Sequence, residues 1–104
     1  MPITETDLTL PEKIEALLGP HKRGGRLSPL DWAVLACWLE AEISPSAILE
    51  GIRRTLLNRQ KMHAPRPINQ LAYCAPEIYR AMQDELDAVH ATYDPNAQFG
   101  GQEL

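Results

Sequence analysis

The residues of this 104-residue chain with the clearest capacity for chemistry are basic side chains in its middle. They are Arg53, Arg54, Arg59, Lys61 and Arg66. No acidic residue occurs between positions 51 and 76, so these charges add up along the segment. The planar guanidinium of arginine matches the oxygens of a phosphate, and Tyr73 or His63 could stack on an exposed base. This spacing predicts a basic strip that contacts the phosphate backbone of a nucleic acid.

The charges of the chain are strongly segregated, although its net charge is −4 at neutral pH. A smaller basic cluster lies at positions 21–26, and positions 81–104 carry five acidic residues and no Lys or Arg. An acidic net charge argues against a protein that simply coats nucleic acid, but a local cationic face can still attract phosphates. The alternative is that the basic and acidic halves pair with each other inside the fold.

No sequence pattern typical of an active site accompanies these charges. His63 and His90 belong to different segments, and no carboxylate is placed nearby in sequence to orient either of them. Ser28 and Ser44 are explained as helix caps, and neither lies in a G-x-S-x-G turn. The Gly24-Gly25 pair is too small a signal for a phosphate-binding loop, since no strand precedes it. We therefore expect a protein that is not an enzyme and uses no cofactor.

The two cysteines, Cys37 and Cys74, lie far apart, and neither has a Cys or His at the spacing of a metal site. Buried free thiols in a reducing cytoplasm are the expected state. The longest apolar run, positions 32–39, is far too short to span a bilayer. The acidic N-terminal residues do not resemble a secretory signal. We therefore expect a cytoplasmic protein with no bound metal and no membrane contact.

Three segments begin with strong signals for the start of an α-helix. The signals are Thr9 before Leu10-Pro11-Glu12, Ser28 before Pro29-Leu30-Asp31, and Ser44 before Pro45. A hydroxyl at the N-cap accepts a hydrogen bond from the first turn, proline fits that turn, and an acidic third residue can return a bond. Gly19-Pro20 should end the first helix. The short Ile43-Ser44 link predicts a tight hairpin or corner between the second and third helices.

The spacing of apolar residues predicts which helix faces are buried. The second helix is apolar over more than half of its circumference, which is typical of a helix at the centre of a domain. Trp38 is expected in the core and Trp32 nearer its edge. The third helix carries a stripe of Ile48, Leu49, Ile52, Leu56 and Leu57. A final helix carries Ile78, Met82, Leu86, Val89 and Tyr93 along one face.

These elements define the expected fold class. The chain is predicted to be all-α, a small single-domain bundle of four to five helices. Positions 1–9 should form a flexible leader, positions 10–94 the helical domain, and positions 95–104 a disordered tail. Between the third and final helices, Pro65 and Pro67 should hold the chain extended.

The block from position 27 to 79 also carries a resemblance to a known family. Trp38-Leu39-Glu40 ends one apolar helix, and Ile48-Leu49-Glu50-Gly51-Ile52 with Leu56 fills the next. In this pattern the block resembles the C-terminal helical domain of DnaD/DnaB-type primosomal proteins, which act in replication initiation in bacteria and their phages. The resemblance implies single-stranded DNA binding near the last helix, where the family carries Tyr, Ile and Trp. This chain has Tyr73 and Ile78, with no tryptophan after Trp38.

The chain also resembles small bacterial helical proteins with the same S-P-x-D start and Y-C-x-P ending, a likeness that implies no activity. Two functional hypotheses follow. The first is a non-catalytic nucleic-acid-associated module, a DnaD-like accessory subunit that contacts phosphates through the basic strip and Tyr73. The second is a protein-interaction or structural subunit of a larger bacterial assembly. A contiguous basic surface would favour the first hypothesis, and a large exposed apolar patch would favour the second.

Overall fold

The computed structural model describes residues 8–92, and this part of the chain is all-α as predicted. Its four α-helices are α1 (Leu10–Leu18), α2 (Pro29–Glu40), α3 (Pro45–Gln60) and α4 (Ala75–Thr92). Single 3₁₀ turns at Gly19–His21 and Leu71–Cys74 follow α1 and precede α4. Most of the expected leader, the expected tail and Tyr93 lie outside the described residues. None of the described helices is long and apolar enough to cross a bilayer.

The predicted helix starts are confirmed by their hydrogen bonds. Thr9 and Ser28 each form a capping box, in which the cap hydroxyl accepts from the third backbone N–H and the third carboxylate accepts from the cap N–H. The partners of these caps are Glu12 and Asp31. The hydroxyl of Ser44 accepts a 3.0 Å bond from the N–H of Ala47. Each cap satisfies backbone donors that a helix start leaves without intrahelical partners.

The predicted tight corner between α2 and α3 is built on one residue in the left-handed region. Glu42 has a φ of 63°, a conformation that usually favours glycine. Its N–H donates to the carbonyl of Leu39, and the N–H of Ile43 donates to the carbonyl of Trp38, both at 3.0 Å. These two bonds form a Schellman motif, and the buried side chains of Ile43 and Trp38 accompany it. The chain therefore turns within four residues between the two helices.

The centre of the domain is the contact between α3 and α4. Ile48 and Ile52 of α3 and Ile78 of α4 are fully buried there, and Ile14 of α1 joins them in the core. Gly51 lies directly against Ile78, so close that a Cβ at position 51 would overlap the backbone of Ile78. The absence of a side chain at Gly51 thus sets the distance between the two helices.

Two loops that are distant in sequence pair along a short extended stretch. The N–H of Arg23 donates to the carbonyl of Ile68, and the N–H of Ile68 donates to the carbonyl of His21, each at 2.8 Å. They form a single parallel bridge between Lys22 and Ile68. This bridge connects the loop after α1 to the extended linker that follows α3.

A buried ion pair reinforces the same junction. The Nζ of Lys22 lies 3.1 Å from a carboxylate oxygen of Asp31, and both side chains are almost fully removed from solvent. Asp31 also accepts hydrogen bonds of 2.9 Å from the N–H groups of Ser28 and Leu71. Burial by itself would raise the pKa of this carboxyl, but the bonds from Leu71, Ser28 and Lys22 outweigh it and lower the pKa. Asp31 therefore remains ionised and joins three segments of the chain.

The prediction that α2 is the central helix is wrong. Only Asp31, Leu35 and Trp38 of α2 are buried, while Leu30 and Trp32 are each about half exposed at 52% and 49%. The sequence pattern misleads because an apolar circumference indicates burial only where neighbouring elements cover it. Here α2 packs through one narrow face, and the rest of its apolar surface is left uncovered by the described residues. The core position of Trp38 is confirmed, and Trp32, expected nearer the edge of the core, is half exposed.

Several other residues expected in the core are also exposed. Leu57 of α3 and Leu86 and Val89 of α4 are 56%, 46% and 60% exposed, and Cys37 is exposed as well. Leu57 lies near the end of α3 and its side chain faces outward. The second half of α4 continues its apolar stripe where no other described element covers it. Cys74, in contrast, is a buried free thiol as predicted.

Replacement of Gly51 by Ala should destabilise the domain by about 3 kcal/mol, because α3 and α4 must separate to admit the methyl group. Helix propensity alone would favour alanine by about 1 kcal/mol, so the sign of the change is diagnostic. Urea unfolding followed by circular dichroism measures the effect. Ile78→Val should not rescue the variant, because the overlap involves the backbone of Ile78. An unchanged or higher stability of Gly51→Ala would contradict this close approach.

Replacement of Asp31 by Asn should reduce stability at pH 7 by about 3–5 kcal/mol, because Lys22 is left buried without a counter-charge. The pKa of Asp31 is lowered in the folded state. Its stabilising contribution is therefore complete above the unfolded pKa of about 3.9 and is lost as the pH falls through the folded pKa. Urea unfolding between pH 7 and pH 2 should show a weaker acid dependence in the variant.

The double variant Asp31→Asn with Lys22→Met provides the control for this prediction. It removes the unpaired charge and keeps an acceptor for the N–H of Leu71, so it should recover much of the lost stability. Equal stability of the wild type and Asp31→Asn at pH 7 would show that the pair does not hold the junction together.

Candidate functional site

The first two arginines of the predicted basic strip are compensated by carboxylates. Arg54 donates to Glu50 at 3.0 Å and to Asp84 of α4 at 2.7 Å. These hydrogen bonds, most of all the one to Asp84, raise the pKa of the Arg54 guanidinium. Arg53 lies 3.8 Å from Glu50. The alternative in which basic and acidic halves pair is therefore realised between Arg54 and Asp84, at the middle of α3.

Arg59, near the end of α3, is in a different environment. Its guanidinium donates a 3.2 Å hydrogen bond to the hydroxyl of Tyr73 and lies 5.3 Å from the centre of that ring. A tyrosine partner orients the guanidinium through a cation–π contact but adds no negative charge. The positive charge of Arg59 is thus positioned without being neutralised.

The structure brings Arg59 together with two arginines from other segments. Arg23, from the loop after α1, and Arg66, from the linker after α3, line a groove of about 390 Å³ with Arg59 and His21. An adjoining groove of about 480 Å³ is lined by Arg59, Arg66 and Tyr73. Among the described residues, no carboxylate lines either groove. We call this surface, defined by Arg23, Arg59, Arg66 and Tyr73, the arginine groove.

The position of Arg23 follows from the extended backbone around Lys22. Successive side chains of an extended segment point to opposite sides, so Lys22 points inward to Asp31 while Arg23 points outward. The Nε of Arg23 then donates to the Oδ1 of Asn69 at 2.9 Å. Like Tyr73 beside Arg59, Asn69 is a neutral partner that holds a cation in place. The bridge at Ile68 keeps the two loops, and hence Arg23 and Arg66, on one surface.

The remaining residues of the predicted strip lie outside this groove. Lys61 and His63 are exposed just beyond the end of α3, and neither lines the arginine groove. The strip thus divides into a neutralised part at Arg53 and Arg54, and an uncompensated part at its C-terminal end. Sequence reasoning noted the basic cluster at 21–26 but did not join it to the strip, because only the bridge at Ile68 brings the two together.

Two serines, at the N-cap and in the first turn of α3, have a second role. The hydroxyls of Ser44 and Ser46 both hydrogen-bond the carboxylate of Glu85 in α4, the bond from Ser44 at 2.6 Å. These bonds lower the pKa of Glu85. They join the start of α3 to the second half of α4, so this carboxylate is structural and is not part of a solvated acidic face. Within residues 8–92, no group of three or more His, Cys, Asp or Glu side chains could hold a metal ion.

A second, apolar groove lies on another surface, between α2 and α4. It has a volume of about 680 Å³. Its lining residues are Leu30, Ala33, Val34, Cys37, Trp38, Ala41, Ile43, Tyr79 and Met82. The Nε1 of Trp38 donates a 3.3 Å hydrogen bond to the hydroxyl of Tyr79 across its floor. We call this surface the apolar groove. It shares no residue with the arginine groove.

The two thiols should differ sharply in reactivity. Burial raises the pKa of Cys74 to about 11, so at neutral pH it remains a buried, unreactive thiol. Cys37 is exposed in the apolar groove. With a chromogenic disulfide reagent at pH 8, one thiol should react promptly and the second only after denaturation. Cys37→Ser should abolish the prompt phase, and prompt reaction of both thiols would contradict the burial of Cys74.

Comparison with known proteins adds no family to this description. No protein-family model, no curated protein and no solved structure matches the chain significantly. The resemblance to DnaD/DnaB-type proteins therefore remains a prediction from the sequence pattern. The case for a function rests on the geometry of the two grooves.

Proposed function

We propose that this protein is a non-catalytic module that binds single-stranded nucleic acid through the arginine groove. The observation that carries the proposal is the convergence of Arg23, Arg59 and Arg66 on one groove with no carboxylate in its lining. Three separate segments of the chain supply these cations. Such convergence creates a local positive field on a chain whose net charge is −4.

The neutral partners of these arginines support binding of phosphate. Asn69 and Tyr73 hold Arg23 and Arg59 in place, so less conformational entropy is lost when a ligand binds. An arginine already paired to a carboxylate, such as Arg54, would have to give up that partner first. The planar guanidinium also suits two oxygens of one phosphate. Phosphate binding is therefore expected at the arginine groove and not at the middle of α3.

Tyr73 is the reason to expect a single strand. Tyr73 is 49% exposed beside the groove, and its ring face is already next to the Arg59 guanidinium. An unpaired base could stack on this ring, as aromatic side chains do in proteins that bind single strands. In a duplex the bases are stacked on one another and are not available to the ring. Three cations and one aromatic ring correspond to a site for a few nucleotides.

Only the resemblance to DnaD/DnaB-type proteins indicates in which cellular process this single-strand binding would act. A DnaD-like accessory subunit of a bacterial replication complex would need single-strand binding of this kind. Trp38 and Gly51, which belong to the resembling motifs, lie in the core and at the contact between α3 and α4. Both positions are explained by the packing of this fold, so the replication role needs its own test in cells.

The test is binding of fluorescein-labelled oligo(dT) of twelve nucleotides, followed by fluorescence anisotropy across a sodium chloride series. With three phosphates neutralised, the logarithm of affinity should fall with the logarithm of salt with a slope of about −2. The triple variant Arg23→Ala/Arg59→Ala/Arg66→Ala should bind at least about tenfold more weakly at low salt. An unlabelled duplex of the same length should compete poorly.

A matched control removes the same charge from outside the groove. Arg53→Ala/Lys61→Ala/Arg80→Ala also loses three cations, and it should change the affinity much less than the groove variant. Tyr73→Phe loses the hydrogen bond to Arg59 but keeps the ring, so it should retain most of the binding. Tyr73→Leu should weaken binding more, because only a ring can stack. Equal losses of affinity in the two triple variants would show that binding depends on the net charge of the protein and not on the arginine groove. Absence of binding at low salt would refute the proposal.

A further inference from the structure

Two helices, α2 and α4, each carry a stripe of apolar residues along the apolar groove. On α2 and its C-cap the stripe is Leu30, Val34, Cys37 and Ala41. On α4 it is Tyr79, Met82, Leu86 and Val89. In both, the spacing alternates between three and four residues, the heptad spacing of helices that pack side by side. The two stripes form the walls of the apolar groove and its continuation along α4.

The fold does not use most of this surface. Leu30 and Tyr79 are about half exposed, and so are Leu86 and Val89. The floor, in contrast, is fixed by the buried Trp38, whose indole N–H is bonded to the Tyr79 hydroxyl. A rigid floor with exposed apolar walls is typical of a groove that receives another helix. From Tyr79 to Val89 the wall is ~15 Å long at 1.5 Å per residue, enough for about three helical turns.

On the described parts of α2 and α4, the charged side chains that flank this groove are acidic except for Arg80, which lies 3.3 Å from Glu77. Between positions 27 and 52 the chain has no Lys or Arg, and beyond Arg80 the described part of α4 has none either. Glu40 lies one turn beyond Cys37 at the edge of the groove, and Glu42 follows at the corner. Asp87 lies beside Leu86 on α4, bonded only to the neutral Gln83 among the described residues. A ligand helix that fills the groove therefore meets carboxylates along its flanks.

We propose that the apolar groove is a docking site for a basic amphipathic helix of a partner protein. The apolar residues of this partner helix, spaced three and four apart, would pack between α2 and α4. Its flanking Lys or Arg side chains would face Glu40, Glu42 and Asp87. Charge complementarity selects this partner over a second copy of the chain. A second copy would offer the same faces of α2 and α4, whose flanks carry Glu40, Glu42 and Asp87, so the carboxylates of the two copies would repel each other.

This site is independent of the proposed nucleic-acid site. It shares no residue with the arginine groove, and its charge has the opposite sign. A basic helix could therefore occupy it while a nucleic acid occupies the other surface. Failure of one proposal leaves the other intact, because each is tested with its own probe and its own variants.

The test uses three fluorescein-labelled peptides of fourteen residues with the full chain. The first contains only Leu and Lys, with leucines spaced three and four apart on one helix face. The second replaces every Lys by Glu, and the third scrambles the first so that no apolar face forms. The Leu–Lys peptide should bind with micromolar affinity, and the other two at least about tenfold more weakly. Its binding should also slow the reaction of Cys37 with a thiol reagent.

Matched variants place the binding in the groove. Leu30→Ala/Leu86→Ala should lower the affinity for the Leu–Lys peptide about tenfold. Leu57→Ala/Met62→Ala shortens exposed apolar side chains elsewhere and should leave this affinity unchanged. All four side chains are exposed, and circular dichroism checks that each variant is folded. Glu40→Lys/Asp87→Lys should invert the preference between the Leu–Lys and Leu–Glu peptides. Binding of oligo(dT) should be unaffected by the Leu30→Ala/Leu86→Ala change.

Three results would overturn the proposal. Equal binding of the scrambled peptide, or an unchanged affinity in Leu30→Ala/Leu86→Ala, would show that the groove does not recognise a helix. A dimer in sedimentation that dissociates in Leu30→Ala/Leu86→Ala would assign the groove to a second copy. Peptide binding that appears only after removal of residues 93–104 would assign it to the chain's own C-terminal segment.

Discussion

The buried pair of Lys22 and Asp31 is the interaction on which the rest of this fold depends. Asp31 opens α2, accepts the N–H that starts the turn at Leu71, and neutralises a lysine from the loop after α1. A buried carboxylate is stable only when such donors replace the water it has lost. Because one side chain satisfies all three partners, the loops on either side of it are held in register. The arginine groove exists only because these loops meet.

The same junction explains how an acidic chain comes to present a basic surface. Lys22 points inward to its counter-charge, which turns its neighbours His21 and Arg23 outward. The extended linker then places Arg66 beside them, and Arg59 near the end of α3 lies at the same point. At the middle of α3, in contrast, Arg54 is paired with Asp84. What distinguishes the groove is the uncompensated state of its cations and not their number.

The peripheral position of α2 leaves apolar side chains exposed to solvent. The α3–α4 contact, closed tightly over Gly51, forms the centre of the core and leaves α2 to pack mainly through Leu35 and Trp38. Leu30 and Cys37 of α2 stay exposed in the apolar groove, and the apolar stripe of α4 continues past this groove through the exposed Leu86 and Val89. Exposed apolar areas of this kind on small domains usually mark binding surfaces. The molecule thus separates a cationic polar surface from an apolar surface with acidic edges.

Local signals in the sequence are sufficient to predict the helices of this protein and the corner between α2 and α3. The caps at Thr9, Ser28 and Ser44, the corner at Ile43-Ser44 and the all-α class depend on interactions between residues a few positions apart, which a sequence displays directly. Which apolar faces are covered depends on packing between distant segments, so the exposure of Leu57, Leu86 and Cys37 could not be predicted from periodicity. The residues of the arginine groove divide in the same way between local signals and long-range contacts. Arg59, Arg66 and Tyr73 were predicted as candidates from their types, whereas Arg23 joined them only through the bridge at Ile68 and the buried charge of Asp31, long-range contacts that tertiary structure alone decides.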